Sequence, residues 1–164
     1  MIEVYKNLFV GSGEDYLTVK AELGWALVQA AKDPWHREAL GYVDRAAPRD
    51  HPEYLIAQRG NRLILNIVDA ESAAYFNTLV FYQACDFIGD FLYNGESKVL
   101  VHCNKGESRG PSIVLVFLAF RARVLPEKSF FDARREFEKI YPAYMPGKGI
   151  RDFLIQEWTS GLFY

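Results

Sequence analysis

Cys103 and Arg109 stand six residues apart at the two ends of a polar loop in the stretch KVLVHCNKGESRGPSIVLVFLAF, Lys98 to Phe120. A β-branched apolar segment leads into the loop and a long apolar segment leaves it. Backbone N–H groups of such a loop, ahead of a helix N-terminus, make an anion-binding nest. Gly106 in mid-loop permits a backbone angle closed to most residues. Arg109 supplies a planar fork of donors that matches two oxygens of a phosphate. The same positive field favours thiolate over thiol at Cys103. A thiolate at the floor of an oxyanion cradle is a nucleophile aimed at phosphorus. The loop then binds a dianion, and the thiol attacks it.

The surrounding elements must hold that loop. KVLVH reads as a short buried strand, and PSIVLVFLAFRA as an almost wholly apolar helix with Pro111 in its first turn. Upstream, VYKNLFVG (Val4 to Gly11) reads as one strand closed by the turn signal Gly-Ser-Gly. WALVQAA (Trp25 to Ala31) is ambiguous between a buried strand and a helix start. Irregular structure with one helical turn is expected over KDPWHREALGYVDRAAPRDHPEY. EYLIAQRGNRLILNIVDA gives two strands around the turn Arg59-Gly60-Asn61. From Ser72 onward, Phe76, Leu79, Val80, Phe87, Ile88, Phe91 and Leu92 mark one stripe of a helix that Asn94-Gly95 stops. Phe130, Phe131, Ala133, Phe137 and Ile140 suit another helix, and IRDFLIQEWTSG a last one. Strands separated by helical patterns predict an α/β fold: a single domain over residues 1–164, its central mixed, mostly parallel sheet flanked by helices. Cys103 then lies at a carboxyl strand end, where open α/β sheets bind ligands.

The chain has 164 residues, half of them hydrophobic, enough for one packed core. A formal charge of −2 gives no global pull toward nucleic acid or anionic membrane, so neither is expected as a partner and any basic chemistry must be local. No secretory signal and no spanning run of about 18 apolar residues is visible, so the expected compartment is the cytoplasm. There Cys85 and Cys103 read as free thiols. Cys85 reads as a small core residue. Trp25, Trp35 and Trp158 read as packing residues, with Trp35 or Tyr54 available to flank a phosphotyrosine ring. His36 and His51, with Asp33, Asp44 and Asp50, match no metal spacing, and no metal or cofactor is expected.

HCNKGESR resembles the Cys-five-residues-Arg signature of the cysteine-dependent protein tyrosine phosphatases, and GPSIVLVFLAF looks like the helix of the small dual-specificity phosphatases. NLFVGS and AYFNTLVFYQACDFIGDFL are similar to that family's opening strand and to its helix before the signature strand. By this analogy WALVQAA is a sheet strand. The segment Pro34 to Tyr54 has no counterpart in the resemblance, and forms a candidate wall of the pocket. The resemblance implies Cys103 as the nucleophile of a phosphocysteine intermediate and Arg109 as the phosphate and transition-state ligand. The amides of Asn104, Lys105, Gly106, Glu107, Ser108 and Arg109 would hold the equatorial oxygens, and His102 would hydrogen-bond within the loop. The family also uses a general acid about thirty residues upstream. Asp69, directly after RLILNIV, is favoured, and Glu71 is the rival.

One position departs from the pattern. Where the family commonly has a Ser or Thr after the arginine, this chain has Gly110, with Ser108 and Ser112 nearby but not in that place. A slow second step is expected. Glu107 repels highly anionic substrates, partly offset by Lys105. The expected function is a monomeric phosphatase of phosphotyrosine, phosphoserine and phosphothreonine proteins. The alternatives are a pseudophosphatase that binds phosphoproteins, or a phosphatase of a small non-protein ester.

Overall fold

In the computed structural model, which describes residues 1–95, 97–161 and 163, six strands form one mixed sheet. They are β1 (Ile2–Tyr5), β2 (Leu8–Gly11), β3 (Trp25–Gln29), β4 (Ile56–Arg59), β5 (Arg62–Leu65) and β6 (Lys98–His102), in the order β1-β2-β6-β3-β5-β4. β6 lies between β2 and β3 and parallel to both, and β5 runs parallel to β3. The edge strands β1 and β4 pair antiparallel with β2 and β5. The sheet is thus mixed and mostly parallel, as the sequence predicts.

The helices are α1 (Gly13–Val19), α2 (Arg37–Leu40), α3 (Thr78–Asn94), α4 (Arg109–Val116), α5 (Phe130–Ile140) and α6 (Lys148–Ser160). Parallel strands buried on both faces read as continuous apolar runs, and β6 shows why. Val99 and Val101 face the large core beneath α3 and α4, whereas Leu100 joins Leu27 and Val19 of α1 on the opposite face. Every residue from Gly110 to Phe120 is buried. Each Val, Leu or Phe so placed contributes about 1.5–3 kcal/mol over exposure. This fixes the axis of α4, and with it the direction of Arg109 at its first turn.

The Ala122 N–H bonds five residues back to the Phe117 carbonyl at 2.9 Å, so α4 ends in a wider turn, Phe117–Arg121. Trp25 packs on Phe9, and Trp158 in a cluster with Phe120 and Phe130. Among the described residues no helix is long and apolar enough to cross a membrane.

Three expectations need correction. VYKNLFVG is a hairpin rather than one strand: Asn7 adopts a left-handed backbone (φ 62°), a conformation Asn tolerates, and the chain reverses there. Ser12 is not merely part of a turn but caps α1, its side chain and that of Asp15 bonding reciprocally to each other's backbone N–H. Finally, helix faces shift. Leu79, Phe131 and Ile140 are exposed, while Phe81, absent from the expected stripe, is among the most buried side chains.

Candidate active site

Cys103 follows β6 directly and is 2 % exposed, at the centre of the carboxyl end of the sheet. The loop after it is built from its carbonyls. Asn104 O accepts from Gly13 N (3.0 Å), Gly106 O from the Tyr141 hydroxyl (2.8 Å), Glu107 O from Met145 N (2.8 Å) and Ser108 O from Ser112 N (3.0 Å). With these carbonyls tied away, the N–H groups of Lys105 to Ser108 have no acceptor among the described residues. A loop with its carbonyls engaged and its amides unpaired can receive an anion. Gly106 is required twice over. Its φ is +77°, and a Cβ there would lie 2.7 Å from the carbonyl oxygen of Gly11.

Arg109 is held at both tips. Nη1 donates to Ile67 O (3.3 Å) and Nη2 to Asn104 Oδ1 (2.7 Å), while Nε is buried without an acceptor. Asn104 is itself anchored, its Nδ2 donating to Asp33 O at 3.1 Å. The guanidinium is therefore positioned before any ligand arrives, with N–H donors to spare.

His102 is fully buried, on the same sheet face as Leu100. Its ring stacks on Tyr16 (4.9 Å, 12° between planes) and meets Trp35 edge-on at 4.5 Å. Neither ring nitrogen reaches a hydrogen-bond partner among the described residues, so aromatic packing rather than a loop hydrogen bond holds it. Burial pushes its pKa down to about 4, with the Cys103 backbone and the Asp15 carboxylate pulling weakly the other way. Trp35 is thus occupied by packing.

Asp69 is exposed and follows β5, in the segment whose Ile67 carbonyl anchors Arg109. A Cβ at Gly147 would lie 3.3 Å from Asp69 Oδ1 and 3.7 Å from Ser108 Oγ, so this carboxylate stands beside the loop's end. Glu71 lies farther along the same segment, which Gly149 locks: a Cβ there would meet the Ala70 carbonyl at 2.2 Å. The two serines near Gly110 are engaged elsewhere. Ser112 Oγ pairs with Tyr144 OH at 3.0 Å, and Ser108 Oγ accepts from Gly147 N at 3.0 Å. Gly110 itself touches the strand end, where a Cβ would lie 3.1 Å from His102 C and 3.2 Å from Cys103 N.

The sequence reading missed the loop's outer supports. Tyr141, Met145 and Gly147, all in the connection from α5 to α6, bond the loop from behind. Burial, with Cys103 nearby, pushes the Tyr141 phenol up to about 12, so it stays a donor. Nothing in PAYMPGKG beyond its Pro and Gly density signals this role. Cys85 is buried in α3 and its thiol pushed up to about 12 by burial, and both cysteines are free. His36 is satisfied by Tyr42 OH and Glu53 O, and among the described residues no His, Cys, Asp or Glu cluster is placed to hold a metal.

No model of a protein family matches the chain. Solved structures do align over nearly all of it. The human tyrosine phosphatase-like serine/threonine/tyrosine-interacting protein is 22% identical, the alignment covering 99% of this chain and 97% of that one, with a TM-score of 0.64. Human DUSP28 is 19% identical over 99% and 97%, with a TM-score of 0.63. DUSP15 is 17% identical over 99% and 89%, with a TM-score of 0.65. With its sheet order and its cysteine loop between β6 and α4, this chain has the fold of the dual-specificity phosphatases.

Proposed function

We propose that this chain hydrolyses phosphomonoesters of proteins, on tyrosine and also on serine and threonine, through a phosphocysteine intermediate. The observation that carries the reading is the loop itself: a buried cysteine at the floor, amides left unpaired by outward-tied carbonyls, and an arginine with a spare donor. The Cys103 thiolate attacks phosphorus, forming the S–P bond as the P–O bond to the substrate breaks. Asp69 gives its proton to the leaving oxygen. Water then attacks the phosphocysteine, Asp69 takes its proton, and the S–P bond breaks to release phosphate. Arg109 and the loop amides offset the charge that develops on the equatorial oxygens.

A specific observation favours a second reading. Gly110 offers no hydroxyl, while Ser108 Oγ accepts from Gly147 N and Ser112 Oγ pairs with Tyr144 OH, so position 110 itself gives the departing thiolate no side-chain donor. A module that binds phosphoproteins without turning them over also fits this. Rapid mixing with para-nitrophenyl phosphate, in the presence of chelator, separates the two. A stoichiometric burst followed by slow release supports the phosphatase. Phosphate binding without burst or turnover replaces it with the binding module.

A further inference from the structure

The segment between β3 and β4 carries cations that the phosphate loop does not use. Lys32, Arg45 and Arg49 line an open groove of about 940 Å³ together with Tyr54, Glu71 and Tyr75. Lys32 is fixed, its Nζ donating to Arg45 O at 2.8 Å and lying 3.4 Å from Asp33. Arg45 and Arg49 are exposed, and neither has a carboxylate partner among the described residues. Their sequence neighbours Asp44 and Asp50 do not line the groove, and Glu71 is its one carboxylate. The lining is therefore net positive in a chain whose total charge is −2, which marks a local rather than a global attraction for anions.

The groove lies along the segment that anchors Arg109. The backbone N–H of Lys32 and Nη1 of Arg109 donate to the same carbonyl, that of Ile67, at 2.9 and 3.3 Å. Val68 and Ala70, on either side of Asp69, continue as its wall. A peptide whose phosphorylated residue rests in the loop thus has its flank beside this groove. A small phosphate ester would fill the loop and stop there.

We propose that the groove binds acidic residues flanking the phosphorylated residue of a protein substrate, with carboxylates at Arg45 and Arg49 and the chain lying against Tyr54 and Tyr75. The proposal deepens the phosphatase reading and rests on it for the placement of the phosphorylated residue. Exposed ion pairs are each worth about two- to fivefold in affinity, so two give a preference of about tenfold that salt weakens.

The test uses the full chain carrying Cys103→Ser and fluorescence anisotropy with two labelled phosphotyrosine peptides, one flanked by Asp and Glu, the other by Asn and Gln. The acidic peptide should bind about tenfold tighter at low salt. That preference should fall below about twofold at high salt, and likewise in a chain with added Arg45→Ser and Arg49→Ser. Arg45→Glu with Arg49→Glu should reverse it. Equal affinities in the parent, no binding of either peptide, or a preference that survives loss of both arginines overturns the proposal. If the wild-type chain releases no phosphate from either peptide, the phosphatase reading fails while the anisotropy still decides the groove.

Discussion

His102 immediately precedes the nucleophile, and acid should reveal how it is held. Its imidazole is fully buried between Tyr16 and Trp35, and burial brings its pKa from the ordinary 6.5 down to about 4. Between these two values the unfolded chain binds a proton that the folded chain refuses. Stability is then complete at neutral pH, falls as pH drops through 6.5, and reaches its floor near pH 4. From about pH 7.5 to about pH 4.5 the loss from this one residue is roughly 2–3 kcal/mol. His36, also buried with its pKa lowered by burial, adds a loss of the same sign, and carboxylates held low by their partners, Asp33 and Glu53 among them, add theirs at more acid pH. The difference between wild type and a variant isolates His102. Urea unfolding of wild type and His102→Phe at both pH values should show the wild type losing roughly 2–3 kcal/mol more than the variant, whatever constant cost the larger ring adds. Equal losses would mean that the imidazole titrates normally and that the aromatic clamp does not exclude its charged form.

Other outcomes follow from the loop. Cys103→Ser should abolish hydrolysis, at least a thousandfold in kcat by order of magnitude, yet retain phosphate binding by calorimetry. Surviving turnover removes Cys103 as nucleophile. Asp69→Asn should lower kcat/KM about a hundredfold for poor leaving groups and little for good ones. If Glu71→Gln does so instead, the acid is Glu71. Gly106→Ala should cost about 2 kcal/mol and lower Tm by about 4–8 °C, because a left-handed backbone and the Gly11 carbonyl both oppose a methyl group. For Gly110, comparing Ala with Ser separates the crowding of a Cβ from the benefit of a hydroxyl. Burst kinetics should show faster breakdown of the intermediate in Gly110→Ser than in Gly110→Ala.

Much of this architecture was legible in residue types. The strand KVLVH, the loop after it and the apolar helix beyond were readable because burial on both sheet faces and a helix buried all round leave continuous apolar runs. Asp69 was readable as a carboxylate after a strand, and the structure places it beside Ser108. The helix α1 was not, because Gly-Ser-Gly serves a turn and a cap equally, and only the reciprocal bonds of Ser12 and Asp15 decide between them. Leu79 and Phe131 fit a helical stripe by spacing but face solvent, since period alone does not say which flank of a wide stripe meets the core. The role of Tyr141 depends on a hydrogen bond across 35 residues, which no local pattern encodes.

The way the loop is knit has a consequence for how it comes into being. Its anchors reach across 71 residues to Asp33, 42 to Ile67, 39 to Gly147 and 35 to Tyr141. Contacts of such separation carry the greatest chain-closure cost and form late. A fragment holding only Lys98 to Phe120 has none of them, so the cysteine and arginine it contains would not be arranged to grip an anion. The cradle is a product of the completed chain, and an oxyanion bound in it stabilises only molecules that have finished folding.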